Sequence, residues 1–211
     1  MIRNETTLKT WDKLAQQYQN KFMDLDLYNA TYDLFCDAIT NENASVLEIG
    51  CGPGNITKYM MDANPKYKIL ATDTAPSMIE LGKINVPNAQ FQLLDSRDIL
   101  ELNTTFDGIL SGFVFPYLTK EECIEFIKNS TQLLNKNGVL YFSTIEEEYS
   151  KSEIQTSSDG QFQMQVYYHQ EDYLVKALEE NGFNILSISR INYEKSAGVF
   201  AIHLVIIAQK S

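Results

Sequence analysis

Between residues 44 and 145, short apolar runs alternate with helix signals, and this rhythm restricts the chain to a narrow set of folds. "SVLEIG" reads as a buried strand and "ITKYMMDAN" as a helix. "KYKILATD" is a second strand, and "APSMIELGKI" is a helix with Pro76 near its start. "AQFQLLD" and "FDGILSGFVF" are the third and fourth strands. "TKEECIEFIKNSTQLLN" is a long helix in which Thr119 and Glu122 have capping-box spacing, so Thr119 is its expected N-cap. "GVLYFSTI" is the fifth strand. Such alternation builds right-handed βαβ units and a mainly parallel sheet.

Three regions break the rhythm. After the helix "HQEDYLVKALEENGF", closed by Gly182, come the strands "FNILSISRINYE" and "GVFAIHLVIIAQK". Their link is too short for a crossover helix, so this last pair is antiparallel and forms a hairpin at one edge of a seven-stranded sheet. Before residue 44, two amphipathic helices are expected at roughly 5–21 and 25–40, forming a helical cap over 1–42. Their Trp11, Tyr18, Phe22, Tyr28, Tyr32 and Phe35 are expected over the sheet's carboxyl edge. Residues 149–168 form a polar insertion with "SSDG" as a turn and "FQMQVYY" as a strand. No repeat or low-complexity linker divides the 211 residues, so one domain is expected.

Ligands of open parallel sheets bind beyond the carboxyl ends of the strands. The first strand ends at Ile49, so Gly50, Cys51, Gly52, Pro53 and Gly54 form its outgoing loop. Glycine lets that loop turn tightly and approach a ligand. The next helix adds unpaired N–H groups and a positive dipole end, which suits a carboxylate or a phosphate. A dinucleotide fingerprint needs G-x-G-x-x-G. Its third glycine position is Asn55 here, and the glycine falls at Gly54. Glu48 would also repel a pyrophosphate. An amino-acid group, with ammonium beside carboxylate, fits both features.

"VLEIGCGPGN" resembles the first motif of class I S-adenosylmethionine-dependent methyltransferases, E/D-x-G-x-G-x-G, and the resemblance extends over nearly the whole chain. It implies an α/β, Rossmann-like, doubly wound sheet, mainly parallel with an antiparallel last strand. It also implies S-adenosylmethionine as cofactor and S-adenosylhomocysteine as product. On that resemblance Glu48, Gly50, Cys51, Gly52 and Gly54 bind the cofactor's amino-acid end. Asp73, with Thr74 beside it, meets the ribose hydroxyls. Asp95 meets the adenine amino group, Ser96 offers its N–H to the ring, and Met78 packs on the adenine face. Ser111 and Gly112 face the methionine end. "WDKLAQQY", carrying Trp11 and Tyr18, is similar to the segment folded over the cofactor in many relatives. Strand-tip aspartates also serve as N-caps, which is the competing role for Asp73 and Asp95.

The resemblance leaves the acceptor open. Trp11, Phe113, Phe115, Tyr117 and Tyr168 are the expected aromatic wall around it, with the 149–168 insertion as a lid over the substrate. "SGFVFPYL" stands where base-amine methyltransferases carry Asn/Asp-Pro-Pro-Tyr/Phe/Trp. A net charge of -11 argues against a phosphate backbone or an anionic membrane as partner. A small-molecule acceptor is the first expectation and a protein acceptor the second. An NAD(P)-dependent oxidoreductase and a non-catalytic S-adenosylmethionine-binding module are the alternatives. His169, just before a helix, is the candidate general base, while His203 inside "FAIHLVIIA" reads as a strand histidine. Three scattered cysteines suggest no metal and a reducing compartment. With no apolar leader and no run of ~18 apolar residues, the expectation is a cytoplasmic monomer or homodimer.

Overall fold

The computed structural model describes residues 5–156 and 163–211. Helices α1 (Glu5–Phe22) and α2 (Asn29–Ala38) precede β1 (Ser45–Ile49), α3 (Asn55–Ala63), β2 (Lys68–Asp73), α4 (Pro76–Asn85) and β3 (Gln90–Leu93). Then follow β4 (Phe106–Ser111), α5 (Lys120–Leu133) and β5 (Leu134–Glu146). A small pair, β6 (Glu153–Thr156) and β7 (Gln163–Val166), leads to α6 (Glu171–Glu180), β8 (Phe183–Ser196) and β9 (Val199–Lys210). Residues 96–102 and 115–117 form short 3-10 helices. The expected "SSDG" turn lies outside the described residues.

The main sheet has seven strands in the order β3-β2-β1-β4-β5-β9-β8, and β6 and β7 form a separate antiparallel pair. Strands β1 to β5 are mutually parallel, and β9 runs antiparallel to both β5 and β8. The last strand is therefore not the outermost one. It inserts between β5 and β8 because residues 203–208 are all buried, and a strand apolar on both faces belongs inside a sheet. The more polar β8 takes the edge.

Helices α2, α3 and α4 cover one face, with Tyr32, Phe35, Met60 and Ile79 packed on Val46, Leu110 and Tyr141. Helices α5 and α6 cover the other, with Ile127, Leu174 and Leu178 on Leu47, Ile109 and Phe142. This corrects one expectation: α2 lies on the face of the sheet and only α1 crosses its carboxyl edge. The reason is close packing at Gly108, where a Cβ would fall 2.7 Å from Ile39 and 2.8 Å from Phe35. No helix among the described residues is long and apolar enough to cross a membrane.

Strand order reverses at β1, which lies between β2 and β4, so a crevice opens where their outgoing loops part. Helix α5, which returns the chain after that crevice, starts at a complete capping box. Thr119 Oγ1 accepts from Glu122 N at 3.2 Å, and Glu122 Oε2 accepts from Thr119 N at 2.8 Å. Thr119→Ala is expected to lower unfolding stability by about 1 kcal/mol, with Thr119→Ser close to wild type. Urea denaturation checks this, and equal loss in both variants would contradict the cap.

Candidate active site

The loop after β1 is shaped by three positive backbone angles: φ is +70° at Gly50, +53° at Gly52 and +88° at Gly54. Side chains rarely adopt that conformation. Space is short as well, since a Cβ at Gly50 would fall 2.3 Å from Val114 Cγ2 in the loop after β4. Gly54 is the N-cap of α3, so that helix points its free amide end at the crevice. Asp73, at the tip of β2, fastens the loop. Its Oδ2 accepts from Gly52 N at 3.0 Å and its Oδ1 from Ala75 N at 2.8 Å.

Above the loop lies a cavity of about 210 Å³. Its wall includes Gly50, Gly52, Asp73, Thr74, Asp95, Ser96 and Gly112 at or just after the strand ends, and Met78 from α4. Trp11, Tyr18, Phe113 and Tyr117 close it from above and the side. Tyr18 rests on the loop, 3.4 Å from where a Gly52 Cβ would stand. Trp11 meets Tyr18 and Tyr117 edge-on, at centroid distances of 5.5 and 5.7 Å. Helix α1 is clipped in this position by polar contacts. Asp12 Oδ1 accepts from Ser77 N at 2.8 Å, capping α4, whose own N-cap Ala75 has no polar side chain. Asn85 donates from Nδ2 to Gln19 Oε1 and to Pro53 O, both at 2.8 Å, and so joins α1 to the glycine loop.

Several expected residues sit elsewhere. Glu48 and Ser111 on the strands, and Cys51 and Gly54 within the loop, are buried rather than on the cavity wall. Phe115 is completely buried and stacks on Phe142 at 4.4 Å, because the 115–117 helix turns its side chain into the core. Tyr168 points away from the cavity and donates to Glu153 Oε1 at 2.9 Å. Side chains alternate along the chain here, so its neighbour Tyr167 lines the cavity instead. His169 is also off the wall and completely buried. Its Nε2 faces Phe115 O at 2.9 Å and its Nδ1 meets the Tyr173 hydroxyl. Burial pulls its pKa down to about 4, and it ties the loop after β4 to α6 as a neutral ring.

Arg97, Thr119, Glu122 and Gln165 also line the cavity and were not anticipated. Arg97 stands two residues after Asp95, a spacing that suggests local pairing, but nothing in the sequence links Asp95 to Glu122. Asp95 does act as a cap as well, accepting from Arg97 N at 3.0 Å.

Glu48 is the most constrained acid. Its Oε2 accepts from Thr57 Oγ1 at 2.5 Å, while Oε1 is buried with no hydrogen-bond partner among the described residues. Burial is the main cause that pushes its pKa up to about 8; the nearby Asp73 adds to the rise, and the Thr57 bond opposes it. The folded chain therefore keeps a proton that the unfolded chain releases above about 4.5, so this group costs stability increasingly as pH rises from about 4.5 to about 8. Glu48→Gln should gain on wild type between pH 5 and pH 8 when both are unfolded in urea. A stability difference independent of pH would contradict this assignment.

Residues 16–188 match the family described as "Methyltransferase domain". The malonyl-[acyl-carrier protein] O-methyltransferase of Acetivibrio thermocellus is 29% identical over 144 residues, 67% of this chain and 46% of that protein. The chain thus spans about half the length of this relative. A tRNA N(3)-methylcytidine methyltransferase of Schizosaccharomyces pombe is 22% identical over 87% of this chain and 82% of its own. The magnesium protoporphyrin IX methyltransferase of Synechocystis PCC 6803, solved with bound S-adenosylmethionine, superposes with a TM-score of 0.70 at 18% identity, over 99% of this chain and 95% of its own. The family match spans most of the chain, and the seven-stranded sheet is mainly parallel with an antiparallel last strand, as the resemblance implies. The chain belongs to the class I S-adenosylmethionine-dependent methyltransferase family.

Proposed function

We propose that the chain transfers a methyl group from S-adenosylmethionine to a small-molecule acceptor held under α1. The observation that carries this reading is one cavity whose wall combines the glycine loop, the carboxylates at the ends of β2 and β3, and a cover of aromatic rings. The residues fit the cofactor. The loop approaches closely at Gly50 and Gly52, which line the cavity and carry no Cβ. When bound, S-adenosylmethionine supplies a methyl carbon activated by a sulfonium.

The chain's own part is binding, orientation and exclusion of water. Amides of the loop and the first turn of α3 would hold the ligand's carboxylate. Asp73 would accept from the ribose hydroxyls. A carboxylate has room for about four hydrogen bonds, so the amides of Gly52 and Ala75 do not exhaust it. Asp95 would accept from the adenine amino group, with Ser96 N–H beside the ring and Met78 against its face. Gly112 and Phe113 would border the methionine end. Trp11, Tyr18, Tyr117 and Tyr167 would enclose the acceptor, and aromatic faces tolerate a cationic sulfonium. Orientation of this kind can lower a barrier by about 7–11 kcal/mol without any proton-transfer group.

Asp73→Asn keeps the side-chain shape and removes the charge. It should weaken S-adenosylhomocysteine binding about 10- to 150-fold, because hydrogen bonds to a charged group are worth ~1.5–3 kcal/mol. It should also lower thermal stability, because the amide nitrogen replaces one of the two oxygens that accept from Gly52 N and Ala75 N. Unchanged affinity would remove Asp73 from the site. For the reaction itself, wild-type protein is incubated with S-adenosylmethionine and, in separate arms, a metabolite library or a mixture of protein substrates, and S-adenosylhomocysteine release is measured. Release with a free small molecule supports the reading, and release only with protein substrates contradicts it.

A further inference from the structure

At the end of the cavity assigned above to adenine, Asp95 belongs to an ion-pair cluster whose other members, Arg97 and Glu122, have no role in the reading above. Arg97 donates from Nε to Glu122 Oε1 at 2.7 Å and from Nη2 to Glu122 Oε2 at 3.3 Å, a two-pronged contact. Its Nη1 donates to Asp95 Oδ1 at 3.1 Å and its Nη2 to Tyr117 O at 3.3 Å. Its backbone N–H donates to the same Oδ1 at 3.0 Å. One residue therefore grips Asp95 with both main chain and side chain. Glu122 is anchored in turn by Thr119 N in the capping box of α5. Side-chain exposure is only 6% for Asp95, 13% for Glu122 and 21% for Arg97, so solvent screens the cluster weakly.

We propose that Arg97 and Glu122 are positioning residues that hold Asp95 as a fixed acceptor, and that this makes the site choose a 6-amino purine over a 6-oxo purine. The inference rests on Asp95 facing the adenine amino group, as proposed above. An ionised carboxylate only accepts hydrogen bonds. It receives the N–H of a 6-amino group and meets the lone pair of a 6-oxo group with repulsion. Without the guanidinium, Asp95 loses its side-chain clamp while the Glu122 carboxylate stays close by. Like charges left so close relieve their repulsion by rotating apart. A displaced Asp95 no longer rejects an oxo group. Lysine keeps the charge but cannot reproduce the fork.

The test is calorimetric binding of two probes, S-adenosylhomocysteine and S-inosylhomocysteine, to the full chain. Wild type should prefer the adenine ligand by about tenfold or more, the selectivity expected from one charged hydrogen bond. Arg97→Gln should cut that preference to below about threefold, and Arg97→Lys should lie between them. Glu122→Gln is the second variant, since Gln also serves in a capping box and preserves the start of α5. It should reduce the preference by less than Arg97→Gln, because Arg97 stays on Asp95 and loses only its anchor. The proposal is overturned if both ligands weaken in parallel in these variants and the preference stays at its wild-type value, because that is the mark of a purely structural pair. If wild type binds neither ligand, the cofactor reading fails first and this inference falls with it.

Discussion

The Asp73 carboxylate joins the tips of two strands, and the geometry of the site follows from it. One oxygen holds Gly52 N in the loop after β1, and the other holds Ala75 N ahead of α4. The neighbouring contact from Cys51 N to Thr72 O, at 2.9 Å, ties the same two strand ends. With those bonds made, the loop must take three left-handed turns in five residues, and only glycine does so without strain. The resulting bare backbone allows Val114 against Gly50 and Tyr18 against Gly52, so the loop after β4 and helix α1 both settle on it. Burial raises the Asp73 pKa, and the amide bonds it accepts work against that rise.

The cover depends on contacts of a different kind. Helix α1 lies outside the βα framework and has little core of its own, with Ala15, Ala75 and Met78 as its small buried cluster. Asp12 and Gln19 fasten it to both ends of α4, and Thr10 Oγ1 reaches Gln163 O at 3.3 Å on β7. Trp11 and Tyr18 therefore face the cavity while the helix's anchors are polar.

Much of this was legible in the chain itself. Alternating apolar runs locate β1 to β5, and the short link between the last two strands requires the antiparallel hairpin. Glu48, the three glycines and Asp73 stand at strand tips because a parallel sheet puts every outgoing loop on one edge. The limits were those of direction and partnership. Period alone does not say that β9, buried on both faces, takes the inside position and leaves the edge to β8. It does not say that Phe115 turns inward, that Tyr167 faces the cavity where Tyr168 does not, or that burial makes His169 a neutral tie. The pairing of Arg97 with Glu122 joins residues 25 positions apart, and only the packing of α5 beside the 96–102 helix brings them together.

The central claim is that this loop binds the amino-acid end of a nucleoside cofactor and not a dinucleotide pyrophosphate. Calorimetric titration of the full chain with S-adenosylhomocysteine and, separately, with NADH tests it most directly. The account predicts micromolar binding of S-adenosylhomocysteine at one site per chain and no heat from NADH. Binding of NADH with none of S-adenosylhomocysteine would contradict it.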